Sequence, residues 1–190
     1  MLTRVPMRFA DTPLLWTRDD VLFGQECHDL VATIERANPG LATDNPMYRD
    51  QDRVIVDDGA LANVVFERLA PALPERMGEL RLDSVNERFR LYRYGVGQRF
   101  APHMDHWYQP SARRITLLTV LVYLNEGFEG GATRFHEQLD DVVVPLRGRT
   151  ALFQHKVRHE GEPVTEGTKY ALRTDILYAA DHDIELTYAG

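Results

Sequence analysis

The stretch RITLLTVLVYLN, residues 114–125, constrains the fold of this chain most. β-Branched and aliphatic residues fill it with little polar alternation, which predicts a strand buried on both faces rather than a half-solvated one. Such a strand needs neighbours on both edges and a layer over each face. The second half of the chain can supply them. VNERFRLYRY, DDVVVPL, GRTALFQH and YALRTDILYAA read as further strands, with Phe89, Leu91 and Arg93 sharing one side of the first. The turns GFEGGAT and PLRGR separate them.

The first third has a different period. Thr17 is placed to cap a helix through RDDVLFGQECHDLVATIERA, with Asp19 and Asp20 in its favourable first turn. Val21, Leu22, Leu30, Val31 and Ile34 fall near one face, and Asn38-Pro39-Gly40 ends the pattern. After the polar stretch ATDNPMYRDQDR, a second helix begins near Asp57 or Asp58. It carries Leu61, Val64, Val65, Phe66 and Leu69, and Pro71 and Pro74 close it. Two helices followed by many short strands predict an α+β chain with a mainly β core, the N-terminal helices flanking an antiparallel double sheet. A jelly roll fits that order, and periodicity alone does not choose it over another β-sandwich. The length of 190 residues suits one domain over 1–190, with a helical N-terminal part about 1–83 and a core about 84–180.

Composition narrows the function classes. A net charge of −7 argues against a general nucleic-acid binder, which needs a basic face. No apolar run approaches the ~18 residues of a membrane span, and the start MLTRVPMRFADTP lacks the apolar core of a signal peptide. The single cysteine, Cys27, excludes an internal disulfide, reads as packing in the first helix, and suits a reducing, cytoplasmic setting.

The chemistry concentrates in RFAPHMDHWY, residues 99–108. His103 and Asp105, two apart, share a face if the segment is extended. With a histidine from another strand they could occupy one face of an octahedral Fe(II) and leave three positions open. His159, after the strand TALFQH, is the histidine placed for this. Alone, His-x-Asp is weak and reads as readily as a solvated turn. Its weight comes from Lys169, ten residues after His159: a cation projecting from a strand into an apolar interior is costly unless an anion meets it, and a dicarboxylate would be such an anion. His155, four residues before His159, lies in a poor helix and reads as a packing or supporting residue. His106 points away from Asp105, and His28, His136 and His182 read as surface residues.

YRYGVGQRFAPHMD, TVLVYLNEGFEGGATRF and HEGEPVTEGTKYALRTDILY together resemble the Fe(II)- and 2-oxoglutarate-dependent dioxygenases of the prolyl 4-hydroxylase type, over roughly residues 85–180. Four segments match in order: Tyr-x-x-Gly-Gln leading to His-x-Asp, Tyr-Leu-Asn at a strand end, a Gly-Gly-x-Thr turn, and His-Glu-Gly-x-Pro-Val with a lysine ten residues beyond the histidine. The resemblance implies a double-stranded β-helix, a form of jelly roll. It implies His103, Asp105 and His159 as iron ligands, with Lys169 pairing the distal carboxylate of 2-oxoglutarate. Tyr123 would hydrogen-bond the same carboxylate, Thr119 would line the pocket beside it, and Tyr94 would lie near the keto-acid end. Arg173 shares strand parity with Lys169 and is the alternative anchor. One departure is Phe100, where many members carry a tyrosine.

The implied reaction is hydroxylation of an unactivated C–H by O2, releasing succinate and CO2, with ascorbate a further reductant. Asp105 favours hydroxylation over halogenation, because a halide needs the position that a carboxylate fills. A peptidyl residue, proline first, is the expected substrate; a free amino acid or other small metabolite is the alternative. A non-catalytic jelly-roll binding or sensor module is a third reading, and it would predict loss of a ligand or of the lysine. Arg49 and Arg53 in the polar stretch, and Trp107 and Tyr108 after the metal edge, are the candidate substrate contacts. Sequence does not fix the oligomeric state.

Overall fold

The computed structural model of the chain describes residues 1–187 except 44, 46 and 138. In chain order its elements are β1 (Leu2–Val5), β2 (Leu15–Arg18), α1 (Gly24–Ala37), β3 (Asp52–Asp57), α2 (Gly59–Leu69), β4 (Arg76–Met77), β5 (Leu80–Val85), β6 (Arg88–Tyr94) and β7 (Phe100–His103). They continue as β8 (Arg114–Tyr123), β9 (Glu129–Gly130), β10 (Thr133–Phe135), β11 (Asp141–Val143), β12 (Thr150–Gln154), β13 (His159–Gly161), β14 (Val164–Glu166), β15 (Lys169–Ala179) and β16 (Asp183–Leu186).

The doubly apolar run is β8, and it is central. It pairs β12 on one edge and β15 on the other. β15 then splits its far edge, pairing β6 through Lys169–Arg173 and β5 through Ile176–Ala179. β2 lies outside β12, β3 outside β6 and β4 outside β5, which completes an eight-stranded antiparallel sheet. A second antiparallel sheet has the order β11-β10-β13-β7. The two sheets line one cavity between them, as a jelly roll requires.

Alternation sorts the large sheet's side chains. Phe89 and Leu91 of β6, Val120 and Val122 of β8, and Leu172 and Ile176 of β15 join one apolar cluster with Cys27 and Ile34 of α1 and Ala62, Val65 and Leu69 of α2. The opposite parity turns Tyr92, Tyr94, Thr119, Leu121, Lys169, Ala171 and Arg173 into the cavity. Arg93 shares the parity of Phe89 and Leu91, and its guanidinium reaches Asp52 at 2.8 Å and Glu35 of α1 at 3.4 Å. Among the described residues, no helix is long and apolar enough to cross a membrane.

The first third departs from the expected helical segment. Thr17 does not cap a helix; it lies on β2 opposite Ala151 of β12, and α1 starts only at Gly24. Pairing with a strand far along the chain outweighs the local cap. The helix start is instead held by Glu26, whose carboxylate accepts from the Phe23 N–H at 2.7 Å. β1, β2, β3, β4 and most of β5 fall within 1–83, so that part is mixed rather than helical. The second helix follows expectation, with the Asp58 carboxylate accepting from Leu61 N–H at 2.9 Å. Asn38, with φ +43°, ends α1 as its sequence predicts.

Candidate metal centre and cosubstrate pocket

His103 closes β7 and His159 opens β13, and the two are register partners in the small sheet. Their rings therefore lie side by side, with centroids 4.3 Å apart. Asp105 sits just beyond the end of β7. Its N–H donates to the His155 carbonyl and its own carbonyl accepts from Lys156 Nζ, each at 2.9 Å, which fixes the turn. The carboxylate comes to 3.8 Å from the Nε2 of both histidines. Candidate ligand atoms on His103, Asp105 and His159 all lie within 4.8 Å of one another.

The surroundings prepare these groups for a cation. Each histidine places Nδ1 on a backbone carbonyl two residues earlier, His103 on Ala101 at 2.8 Å and His159 on Val157 at 3.0 Å. Nδ1–H donates there, so each Nε2 keeps its lone pair toward Asp105. Burial pushes His103 down to about 4 and lowers His159 as well, so both are neutral near pH 7, the form that binds metal. Burial would raise the Asp105 carboxyl, but Arg173, aided by the histidines, holds it well below the usual carboxylate range. Two neutral imidazoles and one carboxylate converging in a buried corner fit a divalent N/O-site metal such as Fe(II).

Asp105 is gripped from the large sheet. Thr119 Oγ1 donates to Oδ2 at 2.5 Å and touches His155 Nδ1 at 2.8 Å. Arg173 Nη2 lies 3.0 Å from Asp105 Oδ1 and 3.0 Å from Asp175 Oδ1. Thr119 therefore lines the cavity, as expected, and also holds the Asp105 carboxylate. Arg173 is likewise engaged with Asp105 and Asp175, and this leaves Lys169 as the cation at the deep end.

Lys169 is 2% exposed. Its ammonium donates to the Gly131 carbonyl at 2.6 Å and lies 4.9 Å from the centre of the Tyr94 ring and 5.4 Å from that of Tyr123. Burial pushes its pKa down to about 7, opposed only in part by the Glu162 charge, and no carboxylate among the described residues reaches it at contact distance. Tyr123 lies beneath the pocket wall and donates its hydroxyl to Thr133 Oγ1 at 2.7 Å. Thr133, His103, His159, Tyr94, Arg173 and Lys169 all line the same cavity. A buried cation at one end and a three-ligand corner at the other suit a short dicarboxylate that chelates a metal.

The remaining expected residues divide. Arg49, Arg53 and Tyr108 line a groove that opens onto His103 and Asp105. Trp107 packs against the apolar core with Lys156 Nζ 4.3 Å from its ring centre, and does not line the groove. Phe100 stacks on His103 at 3.7 Å between centroids, so an apolar ring there braces the ligand. His106 is exposed and lines the same groove as Arg49, Arg53 and Tyr108. His155 is fully buried, and its contact with Thr119 makes it a support for Asp105.

Sequence reasoning missed Thr133, Gly131, Arg90 and Asp175. Thr133 and Gly131 belong to the Gly-Gly-x-Thr turn, and the turn was legible while the individual roles were not. Arg90 has the parity of Tyr92 and Tyr94 on β6, and Asp175 that of Lys169 and Arg173 on β15, so both could have been placed in the pocket by alternation.

Residues 89–174 match the family model described as the 2OG-Fe(II) oxygenase superfamily. No curated protein matches the chain. Among solved structures, it is similar to a viral collagen prolyl hydroxylase from Paramecium bursaria Chlorella virus-1 in its 2OG complex (TM-score 0.67, 23% identity, covering 90% of this chain and 98% of that one). It is also similar to a Pseudomonas putida prolyl-4-hydroxylase (0.64, 20%, 86% and 91%). A Trichoplax adhaerens prolyl hydroxylase, solved with a hypoxia inducible factor peptide fragment, is similar too (0.64, 18%, 87% and 84%). These likenesses show a shared fold, and the matched segment holds His103, Asp105, His159, Lys169 and Arg173. Over that segment, a little under half of the chain, the sequence is similar to the 2OG-Fe(II) oxygenases, a family whose cofactors are Fe(II) and 2-oxoglutarate.

Proposed function

We propose that the protein hydroxylates an unactivated C–H of a peptidyl residue, proline first, with His103, Asp105 and His159 holding Fe(II) and Lys169 anchoring 2-oxoglutarate. The observation that carries this reading is the cavity that joins His103 and His159, each 3.8 Å from the Asp105 carboxylate, to buried Lys169, which has no carboxylate at contact distance among the described residues. Iron and 2-oxoglutarate together activate O2 for oxygen insertion and leave succinate and CO2 as products.

The chain's own residues bind, orient and exclude water. Lys169 pairs with the distal carboxylate, with Tyr94 and the Tyr123–Thr133 hydroxyl pair closing that end. The Nδ1 tethers keep both imidazoles in one tautomer, and Thr119 and Arg173 keep the Asp105 carboxylate deprotonated and aimed. Phe100, Phe153 and Leu121 give the cavity apolar walls, which favour a dry reaction space. One cysteine suits the cytoplasmic setting we propose for it.

A second reading, hydroxylation of a free amino acid or other small metabolite, draws support from the arginines at the cavity mouth. Mass spectrometry after incubation with Fe(II), 2-oxoglutarate and fractionated peptides or metabolites tests the choice. A one-oxygen gain on peptides is expected, and a gain confined to free small molecules would overturn the peptidyl reading.

A further inference from the structure

The groove at the cavity mouth carries more positive charge than the cofactors explain. Four arginines line it, Arg49, Arg53, Arg90 and Arg173, against two carboxylates, Asp105 and Asp175. Both carboxylates are already taken: Arg173 contacts each at 3.0 Å, and Arg90 Nη1 reaches the second oxygen of Asp175 at 3.3 Å. Among the described residues, Arg49 and Arg53 are left over. Arg49 donates one N–H to the Ala42 carbonyl at 3.1 Å and lies 5.4 Å from the Phe100 ring centre, while its Nε is buried without a partner. Arg53, on β3 opposite Tyr92, has no carboxylate partner among the described residues. Burial, then the positive charges of Arg49 and Arg90, lower its pKa.

This arrangement is unfavourable as it stands. Partly buried guanidinium groups that repel one another, on a molecule of net charge −7, need a reason to be gathered at one place. A planar anion would relieve the repulsion and satisfy the free forks, because a guanidinium matches a carboxylate with two parallel hydrogen bonds. The aromatic walls Tyr48, Phe100 and Tyr108 lie in the same groove, next to His103 and Asp105, and suit the apolar part of a molecule whose C–H must reach the metal corner.

We propose that Arg49 and Arg53 anchor a carboxylate of the substrate, so that the enzyme selects substrates bearing a carboxylate close to the C–H that is oxidised. This rests on the hydroxylase reading above and specifies its substrate class. The carboxylate can come from an acidic side chain beside the target residue of a peptide, or from a free small acid.

Calorimetric titration of the full chain, loaded with Mn(II) and 2-oxoglutarate, distinguishes the sources. One probe pair is acetyl-Glu-Pro-Glu-amide against acetyl-Gln-Pro-Gln-amide, and the other is N-acetylproline against its carboxamide. The acidic member of at least one pair should bind about tenfold tighter or more, as charge-assisted hydrogen bonds give, and added salt should shrink the difference. A preference in the first pair identifies a peptide carboxylate, and one in the second alone a free acid. Arg53→Gln should abolish the preference and Arg53→Lys should keep part of it. Arg113→Gln, which removes an equal charge from the surface pair with Asp183, should keep all of it. Absence of an acidic preference in both pairs, or its survival in Arg53→Gln, would overturn the proposal. Loading with 2-oxoglutarate is measured first in the same cell: if it fails, the oxygenase reading fails, and if it succeeds without an acidic preference, only the groove assignment does.

Discussion

At the scale of single residues, Lys169 is a buried cation that carries a burial penalty when 2-oxoglutarate is absent. Its amine is lowered from an ordinary 10.5 to about 7 by burial. Between those values the unfolded chain holds a proton that the folded chain releases, so the stability of the ligand-free protein rises with pH across the window, and below about pH 7 the full penalty applies. Lys169→Met removes the penalty. We expect it to raise the ligand-free Tm by a few degrees near neutral pH, at roughly 2–4 °C per kcal/mol for a chain of this size, with the gain fading toward about pH 10. The same variant should lose the stabilisation that 2-oxoglutarate gives the unaltered protein. Thermal melts across pH check both, and a lower ligand-free Tm near neutral pH would mean that the bond to Gly131 makes Lys169 a structural residue instead. This lysine was legible because a cation on a buried strand is anomalous in sequence, although Arg173 on the same strand left a second candidate. Thr119 and Arg173 were harder to place. Parity put both in the pocket, but only the turn at Asp105 decides that they meet that carboxylate rather than the distal end of a cosubstrate.

At the scale of elements, the site is a product of strand alternation and one turn. β6, β8 and β15 each send one parity to the helices and the other to the cavity, and that division was readable from their apolar pattern. β1, β2 and β3 were not readable, because each is short and takes its strand identity from a partner distant in sequence: β16 for β1, β12 for β2 and β6 for β3. DRVIVD, half hidden in a polar stretch, is apolar enough for a strand only once β6 offers its edge. The turn before β10 has its own constraint. Gly131 has φ +64°, and a Cβ there would lie 3.0 Å from Lys169 Cδ and 3.1 Å from Val164 Cγ2. Gly131→Ala should destabilise the protein by about 1–2 kcal/mol, because a side chain is unfavourable in the left-handed region. It should also weaken 2-oxoglutarate binding, by displacing the carbonyl and side chain that seat Lys169. Denaturant unfolding together with a 2-oxoglutarate titration measures the two effects, and a loss of stability with unchanged cosubstrate affinity would detach the turn from the pocket.

At the scale of the whole molecule, two antiparallel sheets bring together residues that the chain keeps far apart. β7 and β13 of the small sheet hold the two histidines, and β8 and β15 of the large sheet grip the carboxylate between them. A chain of net charge −7 thus places Lys169 and Arg173 on the cavity and Arg49, Arg53 and Arg90 at its mouth, where anionic ligands would meet them. The strand pattern made a double antiparallel sheet readable in the sequence, while the jelly roll and the full metal corner came from the family resemblance. Their convergence on one cavity is a property of the three-dimensional pairing, as is the surplus of arginine at its entrance.

The central claim is that one cavity holds the metal and the cosubstrate through Asp105 and Lys169. It is tested most directly by anaerobic titration of the Fe(II)-loaded protein with 2-oxoglutarate, followed by admission of O2 and quantification of succinate. The unaltered protein should bind 2-oxoglutarate only when metal is present and then form succinate. Asp105→Ala should lose metal binding and succinate together, while Lys169→Met should keep the metal and lose cosubstrate affinity. Metal-independent binding of 2-oxoglutarate, or succinate formation that survives both substitutions, would contradict the account.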